Sequence, residues 1–295
     1  MTEPETFETL RPLLFTIAYE ILGSAADAED VLQDSYFRWR DATGVRHPRA
    51  YLVQIVTRQA INHLRSVRRR REEYVGTWLP EPIRTSADAG HDVLLAESVS
   101  MAMLLVLETL GPTERAVFVL AEVFGHSHRE IADMIDKTEP AVRQIAHRAR
   151  GRVAGRHRRF QPDADTSQAV IDRFLRAVDT GEVGALMDVL APDVVQISDG
   201  GGRVTAARRP ITGAEPVARF LLKLARTWMT GMTVEFGTFN AHPALLVRSG
   251  AGDLDTVLLV ELTGELITGL YAIRNPDKLR SADTVRRLEI APHPR

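Results

Sequence analysis

Residues 128–153 bring together side chains that could read a nucleic acid. A helical pattern from His128 to Ile135, a tight turn at Asp136 to Thr138 and a second helix from Glu139 to Val153 have helix-turn-helix spacing. On the second helix Arg143, Gln144, His147 and Arg148 share a polar face, while Ala141, Val142, Ile145, Ala146 and Ala149 can pack inward. Arginine and glutamine bond base edges bidentately, and the neighbouring cations can hold phosphates; an ordinary surface helix would look similar. Upstream, Asn62 and His63 could reach bases while Arg65, Arg68 and Arg69 neutralise backbone, as melted or single-stranded DNA requires. A solvated helix end, where cations complement the dipole, is the alternative. Asp27, Asp30 and Asp34 lie near one face of an acidic segment, but oxygen-ligand metal sites favour loops with closely spaced carboxylates. A solvated or protein-binding face is expected there, and neither a metal nor a cofactor. In the C-terminal part Asp199 and His242 are the pair an enzyme of the cyclase or isomerase type would need, although no third group accompanies them.

The elements positioning these groups follow from periodicity. Leu10, Leu13, Leu14, Ile17, Ala18, Ile21 and Leu22 form one apolar helical stripe that Gly23 and Ser24 end. Asp27 to Asp30 then open a second helix with an acidic first turn, whose inner face is expected to be Val31, Leu32, Tyr36 and Phe37. Pro48 opens a third helix carrying Tyr51, Leu52, Ile55, Val56 and Ile61 into the arginine run, with Tyr51 read as a core residue. From Gly76 to His91 Pro, Ser, Thr and Gly dominate, and Trp78, Leu79, Pro80, Glu81 and Pro82 make a stiff, partly apolar linker suited either to docking or to spacing. Helix resumes from Asp92 to Leu110, breaks at Gly111 and Pro112, and restarts with Thr113 as N-cap.

A hinge at Gln161, Pro162 and Asp163 leads to a third module. Helices are expected at Gln168 to Thr180, Val183 to Leu190 and Glu215 to Met229, and strands at Val194 to Ser198, Thr233 to Phe239, Ala244 to Ser249, Thr256 to Leu262 and Ile267 to Ile273. Helices followed by an antiparallel sheet give an α+β class behind two all-α modules. Asp199, Gly200, Gly201 and Gly202 permit positive φ and the close approach of another segment, or simply a turn between strands.

Composition agrees with several folded modules. The 295 residues are 44% hydrophobic and 26% charged, enough for real cores. The absence of cysteine excludes disulfides, thiolate metal sites and a cysteine nucleophile, and fits a reducing compartment. No uncharged stretch reaches the roughly 18 residues of a membrane helix, so a cytoplasmic protein with no membrane contact is expected. The net charge of −2 hides two acid-free arginine clusters, six between Arg58 and Arg71 and seven between Arg143 and Arg159.

The segment D-A-E-D-V-L-Q-D-S-Y-F-R-W-R resembles region two of bacterial sigma factors, and H-P-R-A-Y-L-V-Q-I-V-T-R-Q-A-I-N-H-L-R resembles the part that melts and reads the proximal promoter element. L-G-P-T-E-R-A-V-F-V-L with its helix-turn-helix resembles region four, which reads the upstream element. W-L-P-E-P, D-G-G-G-R and N-P-D-K-L resemble the extracytoplasmic-function (ECF) subgroup with a fused SnoaL-like domain. Tyr51, Gln59 and Asn62 depart from residues common in the family.

The resemblance implies a free monomer that binds the polymerase core, at the clamp helices and flap of the large subunits, and promoter DNA. It makes Asp30, Gln33 and Asp34 core contacts and the C-terminal part an NTF2-like cone that adjusts sigma activity, with a small-molecule ligand in the cone left open. Trp78 to Pro82, Asp199 to Gly202, and Asn275, Pro276 and Asp277 become the interdomain regulatory residues. The expected domains are 1–75, 93–160 and 161–295, with the linker at 76–92. A one-component repressor with a ligand-binding tail would need the helix-turn-helix but not the region-two segment.

Overall fold

A computed structural model describes residues 3–86, 92–154, 164–228 and 231–290; the hinge residues Gln161, Pro162 and Asp163 and the Arg69 side chain lie outside what it describes. The chain forms two compact units: residues 1–73, 91–157 and 286–295 make one, and residues 74–90 and 158–285 the other.

In the first unit α1 (Glu3–Leu22), α2 (Ala25–Arg40) and α3 (Pro48–Glu72) pack together. Ser24 caps α2, its hydroxyl accepting from the Asp27 amide at 3.1 Å. The buried stripe of α2 is Ala28, Val31, Leu32, Ser35 and Trp39. Phe37, expected inside, is 44% exposed with the Arg40 guanidinium 5.4 Å from its ring centre, because a helical step of 100° carries position 37 away from the 28–32–35–39 stripe. Tyr51 is half-buried beside Trp39, their ring centres 6.1 Å apart.

The second helical group begins with α4 (Val93–Val99) and α5 (Met101–Glu108), separated where the Ser100 hydroxyl caps α5 by accepting from the Met103 amide. Its third helix, α6 (Pro112–Phe118), is capped by Gly111 rather than by Thr113: proline occupies the first helical position, where its missing N–H costs nothing, and Glu114 accepts from the Gly111 amide at 3.1 Å. A π-helical turn at Val119–Val123, which periodicity did not suggest, precedes α7 (His128–Ile135). Ser127 and Glu130 close a reciprocal cap at the start of α7, Asp136 turns the chain at φ 54°, and α8 (Glu139–Ala154) follows.

Polar groups run through the middle of this unit. Arg115, 1% exposed, donates to the Glu20 carbonyl at 2.7 Å and pairs with Glu108, which also binds Arg71 at 2.8 Å. Burial alone would raise the Glu108 carboxyl, but the Arg115 and Arg71 guanidiniums hold it below the usual carboxylate range. Glu20 is fully buried and accepts from the Ser98 hydroxyl at 2.8 Å. Burial pushes its carboxyl up to about 8 against the opposing pull of Ser98 and Arg115.

The second unit opens with α9 (Ala164–Thr180) and α10 (Val183–Met187), then β1 (Leu190–Asp199), β2 (Ile211–Thr212) and α11 (Ala214–Trp228). It continues with β3 (Thr233–Phe239), β4 (His242–Arg248), β5 (Leu254–Thr263), β6 (Leu266–Ile273) and α12 (Pro276–Leu279). One six-stranded sheet has the order β2-β1-β6-β5-β4-β3. The β3–β6 meander is antiparallel as expected, but β1 and β6 are parallel. The connection between those two runs through α11 and three hairpins, so no single turn imposes a reversal. Beginning the first strand at Leu190 also shortens the preceding helix relative to the sequence expectation. Val170, Phe174, Leu186, Val217, Leu222, Leu245, Val260 and Leu270 bury one face of the sheet under the helices.

An acid whose pKa is raised on folding weakens the fold as it ionises. Stability of the first unit is therefore greatest below the ordinary Glu pKa of 4.5, declines as pH rises towards about 8, and levels off above. The Glu20→Gln variant, which keeps an acceptor for Ser98, should lose this decline of up to about 1.4 kcal/mol per pH unit. Thermal melting of both proteins between about pH 5 and about pH 9 checks it; parallel curves would refute the assignment.

Candidate functional site

Each unit presents a distinct constellation. On α2, Asp30, Gln33, Asp34 and Phe37 are all exposed at the i, i+3, i+4, i+7 spacing of one helix face. The neighbouring Glu29 lies half-buried on the flank of that face, where Arg11 meets it at 2.5 Å and Arg286 also pairs with it. The Arg286 guanidinium sits 4.8 Å from the Phe15 ring centre, and the Glu289 amide donates to the Thr16 hydroxyl at 3.0 Å, so residues 286–289 lie against α1 and α2. Among the described residues no group of three His, Asp or Glu could hold a metal ion.

The helix-turn-helix buries Val142, Ala146 and Ala149 of α8 and leaves Arg143, Gln144, His147 and Arg148 exposed. The arginines are acid-free only in sequence: Arg143 pairs with Glu139 at 2.8 Å, Arg150 with Glu122 at 2.6 Å, and Arg152 with Glu114 at 2.5 Å. On α3, Asn62, Arg65 and Arg68 are exposed. His63 is half-buried with Nε2 3.1 Å from an Asp27 carboxylate oxygen. Arg65 donates to Asn62 at 3.3 Å and to the Thr113 hydroxyl at 3.1 Å, and Arg71 turns inward to Glu108 and the Leu22 carbonyl. The arginine run is thus not one outward-facing patch, since a continuous helix sends successive residues to different sides.

In the second unit the linker is docked. Asp199, wholly buried at the end of β1, accepts from the Tyr74 hydroxyl at 2.6 Å, the Leu79 amide at 2.9 Å, the Gly201 amide at 3.0 Å and the Lys278 ammonium at 2.7 Å. Lys278 also donates to the Leu79 carbonyl and lies 4.2 Å from the centre of the Trp78 ring. Asn275 donates to the Tyr74 oxygen at 2.7 Å and accepts from the Asp277 amide, and the Ser281 hydroxyl donates to the buried Glu81 at 3.0 Å. Burial and Asp199 together keep the Tyr74 phenol above its ordinary range.

The three glycines admit this approach. A Cβ on Gly200 would overlap the Val204 carbonyl, and one on Gly201, at φ 59°, would overlap the Asn275 side-chain amide; on Gly202, at φ 70°, it would lie 3.0 Å from Val75. Beyond Pro80 and Pro82 the linker continues along the β3–β4 hairpin: the Thr85 amide donates to the Thr238 carbonyl, the Asn240 amide to the Ile83 carbonyl, and the Ile83 amide to the Asn240 side chain. Sequence reasoning found the W-L-P-E-P, D-G-G-G-R and N-P-D-K-L segments but missed Tyr74, Lys278 and Asn240. The lysine stood inside a quoted motif; the other two carried no local signal.

A cavity of about 350 Å³ adjoins the anchor, lined by Ser198, Gly202, Arg203, Thr205 and Arg208 with Val75 and Gly76 of the linker. His242, expected to partner Asp199 in an enzymatic reading, is 6% exposed with Nδ1 2.5 Å from the Asn240 carbonyl; burial lowers its pKa, and Asn240 partly offsets this. Asp199 holds the linker and makes no bond to His242.

Two family models match, Sigma-70 region 2 over residues 6–70 and Sigma-70, region 4 over residues 100–153. The chain is 33% identical over 295 residues to the ECF RNA polymerase sigma factor SigJ of Mycobacterium tuberculosis, covering 94% of this chain and 93% of that protein. This chain is an ECF RNA polymerase sigma factor. A crystal structure of SigJ is similar with a TM-score of 0.77 at 31% identity, covering 94% of this chain and 98% of that one, C-terminal α+β domain included. The probable ECF sigma factor SigI of the same species is 29% identical over 91% of this chain and 92% of its own length. The sigma factor thus consists of two helical sigma regions followed by an α+β domain, and no helix among its described residues is long and apolar enough to cross a membrane.

Lys278→Met would leave the buried Asp199 carboxylate without its cation. It should lower the stability of the second unit by roughly 3–5 kcal/mol and speed chymotrypsin cleavage at Tyr74 and Trp78. Unchanged cleavage there would show that the linker does not depend on this pair.

Proposed function

We propose that this sigma factor binds the polymerase core through Asp30, Gln33 and Asp34 of α2. Promoter DNA is contacted through α3, by Asn62, His63, Arg65, Arg68 and Arg69, and through Arg143, Gln144, His147 and Arg148 of α8. The α+β domain sets transcriptional output through the linker. The observation that carries the regulatory part is the anchoring of the segment between regions two and four on Asp199 by its Tyr74 hydroxyl and Leu79 amide, with Gly201 and Lys278 completing the shell of the same carboxylate. A segment held in this way cannot leave without stripping the buried Asp199–Lys278 pair of the Tyr74 and Leu79 donors. Val75 and Gly76 form part of the neighbouring cavity wall, so a small molecule entering it would be coupled to the linker's geometry. The protein acts as a cytoplasmic monomer until it meets the core.

In vitro transcription with purified core tests the proposal. Asp30→Ala with Asp34→Ala should weaken core binding about tenfold, the equivalent of about 1.4 kcal/mol; unchanged pull-down would remove α2 from the interface. Arg143→Ala or Arg148→Ala should weaken promoter binding and lower its salt slope by about 0.9 for each phosphate no longer neutralised. Asp199→Asn should alter output at equal core occupancy, and identical output would leave the α+β domain with another role.

A further inference from the structure

We propose that Gln54 and Arg58 form a phosphate-binding surface on α3 whose donors the chain's own helix-turn-helix engages when DNA is absent. Arg58 donates from Nε to the Met134 carbonyl at 2.6 Å and from Nη2 to the Asp133 carbonyl at 3.2 Å, and Gln54 donates to the same Asp133 oxygen at 3.0 Å. Both carbonyls lie in the last turn of α7, where a helix leaves its C=O groups without intrahelical donors and carries partial negative charge. The chain does not satisfy them locally, because Asp136 in the left-handed region sends its own N–H and that of Lys137 to the Ala132 carbonyl.

A guanidinium fork on two oxygens, supported by an amide donor, is also the arrangement these side chains adopt on a phosphodiester. The backbone carbonyls of α7 stand in for phosphate oxygens, with about half the charge, so a nucleic-acid strand is the stronger acceptor. Positions 54, 58, 62 and 65 share one face of α3. Arg65 on that face is likewise held by region four, through Thr113 of α6. The surface thus extends the DNA-contacting stripe of α3, and the inference rests on that proposed role. DNA and the helix-turn-helix then compete for the same donors, so α7 must leave α3 before a strand can lie there.

The cysteine-free sequence allows two dyes to be placed at Glu8→Cys and Lys137→Cys, both exposed and on opposite sides of this contact. In the full chain Arg58→Met should raise the population with separated dyes about tenfold, and a duplex with a central unpaired bubble should separate them in the otherwise unaltered chain. For binding of that DNA, Arg58→Met should lower the salt slope by about 0.7–0.9, whereas Arg58→Lys keeps the slope and still loosens the contact. Unchanged dye separation would overturn the competition, and an unchanged slope would overturn the phosphate contact. Arg65→Met separates this inference from its premise: if it too leaves the slope unchanged, α3 does not bind DNA, whereas a fall with Arg65→Met alone rejects only the role of Gln54 and Arg58.

Discussion

A carboxylate with no surface in water must be met by donors from the protein, and at Asp199 they come from the linker, the glycine loop and α12. That requirement organises the second unit around the end of β1. It brings Tyr74 and Leu79 to the sheet, obliges the loop after Asp199 to be glycine where Val204, Asn275 and Val75 crowd it, and aligns Lys278 against Trp78. The W-L-P-E-P segment is therefore structurally a part of the α+β domain, although in sequence it lies between the two sigma regions.

The helical unit is organised by polar groups in its interior as well as by apolar stripes. Arg115 of α6 is buried against the Glu20 carbonyl of α1 and the Glu108 carboxylate of α5, and Glu20 itself is reached by Ser98 of α4. Regions two and four are thus joined by directional bonds among desolvated groups. Such bonds specify one arrangement sharply but return little net stability over exposure to water. A contact of this kind holds the two regions in one definite arrangement.

Under the proposed roles of α2 and α3, contacts inside the helical unit use or flank the groups that would meet the partners. Arg58 caps a helix with the fork that fits a phosphodiester, and Arg286 occupies Glu29 beside the exposed Asp30. A backbone carbonyl is a weaker and more local attractor than a strand of phosphates, so under the proposed role of α3 the contacts of Arg58 would yield to such a strand.

Much of this was legible in the sequence. Apolar spacing of 3.6 residues marked out α1 and α3, the Gly–Pro pair located a helix break, and the face of α8 with Arg143, Gln144, His147 and Arg148 was readable because helical phase is a local property. The order of the family-like segments identified the sigma regions and the fused domain. Pairings between distant residues were not legible: the parallel β1–β6 contact, the exposure of Phe37, the acids that meet Arg150 and Arg152, and the bonds of Tyr74 and Arg58 across more than 70 positions. Local patterns determine which elements form and which faces are apolar, because those depend on near neighbours. Only the tertiary structure decides which buried charge meets which donor, because desolvation makes each partner obligatory without indicating where in the chain it lies.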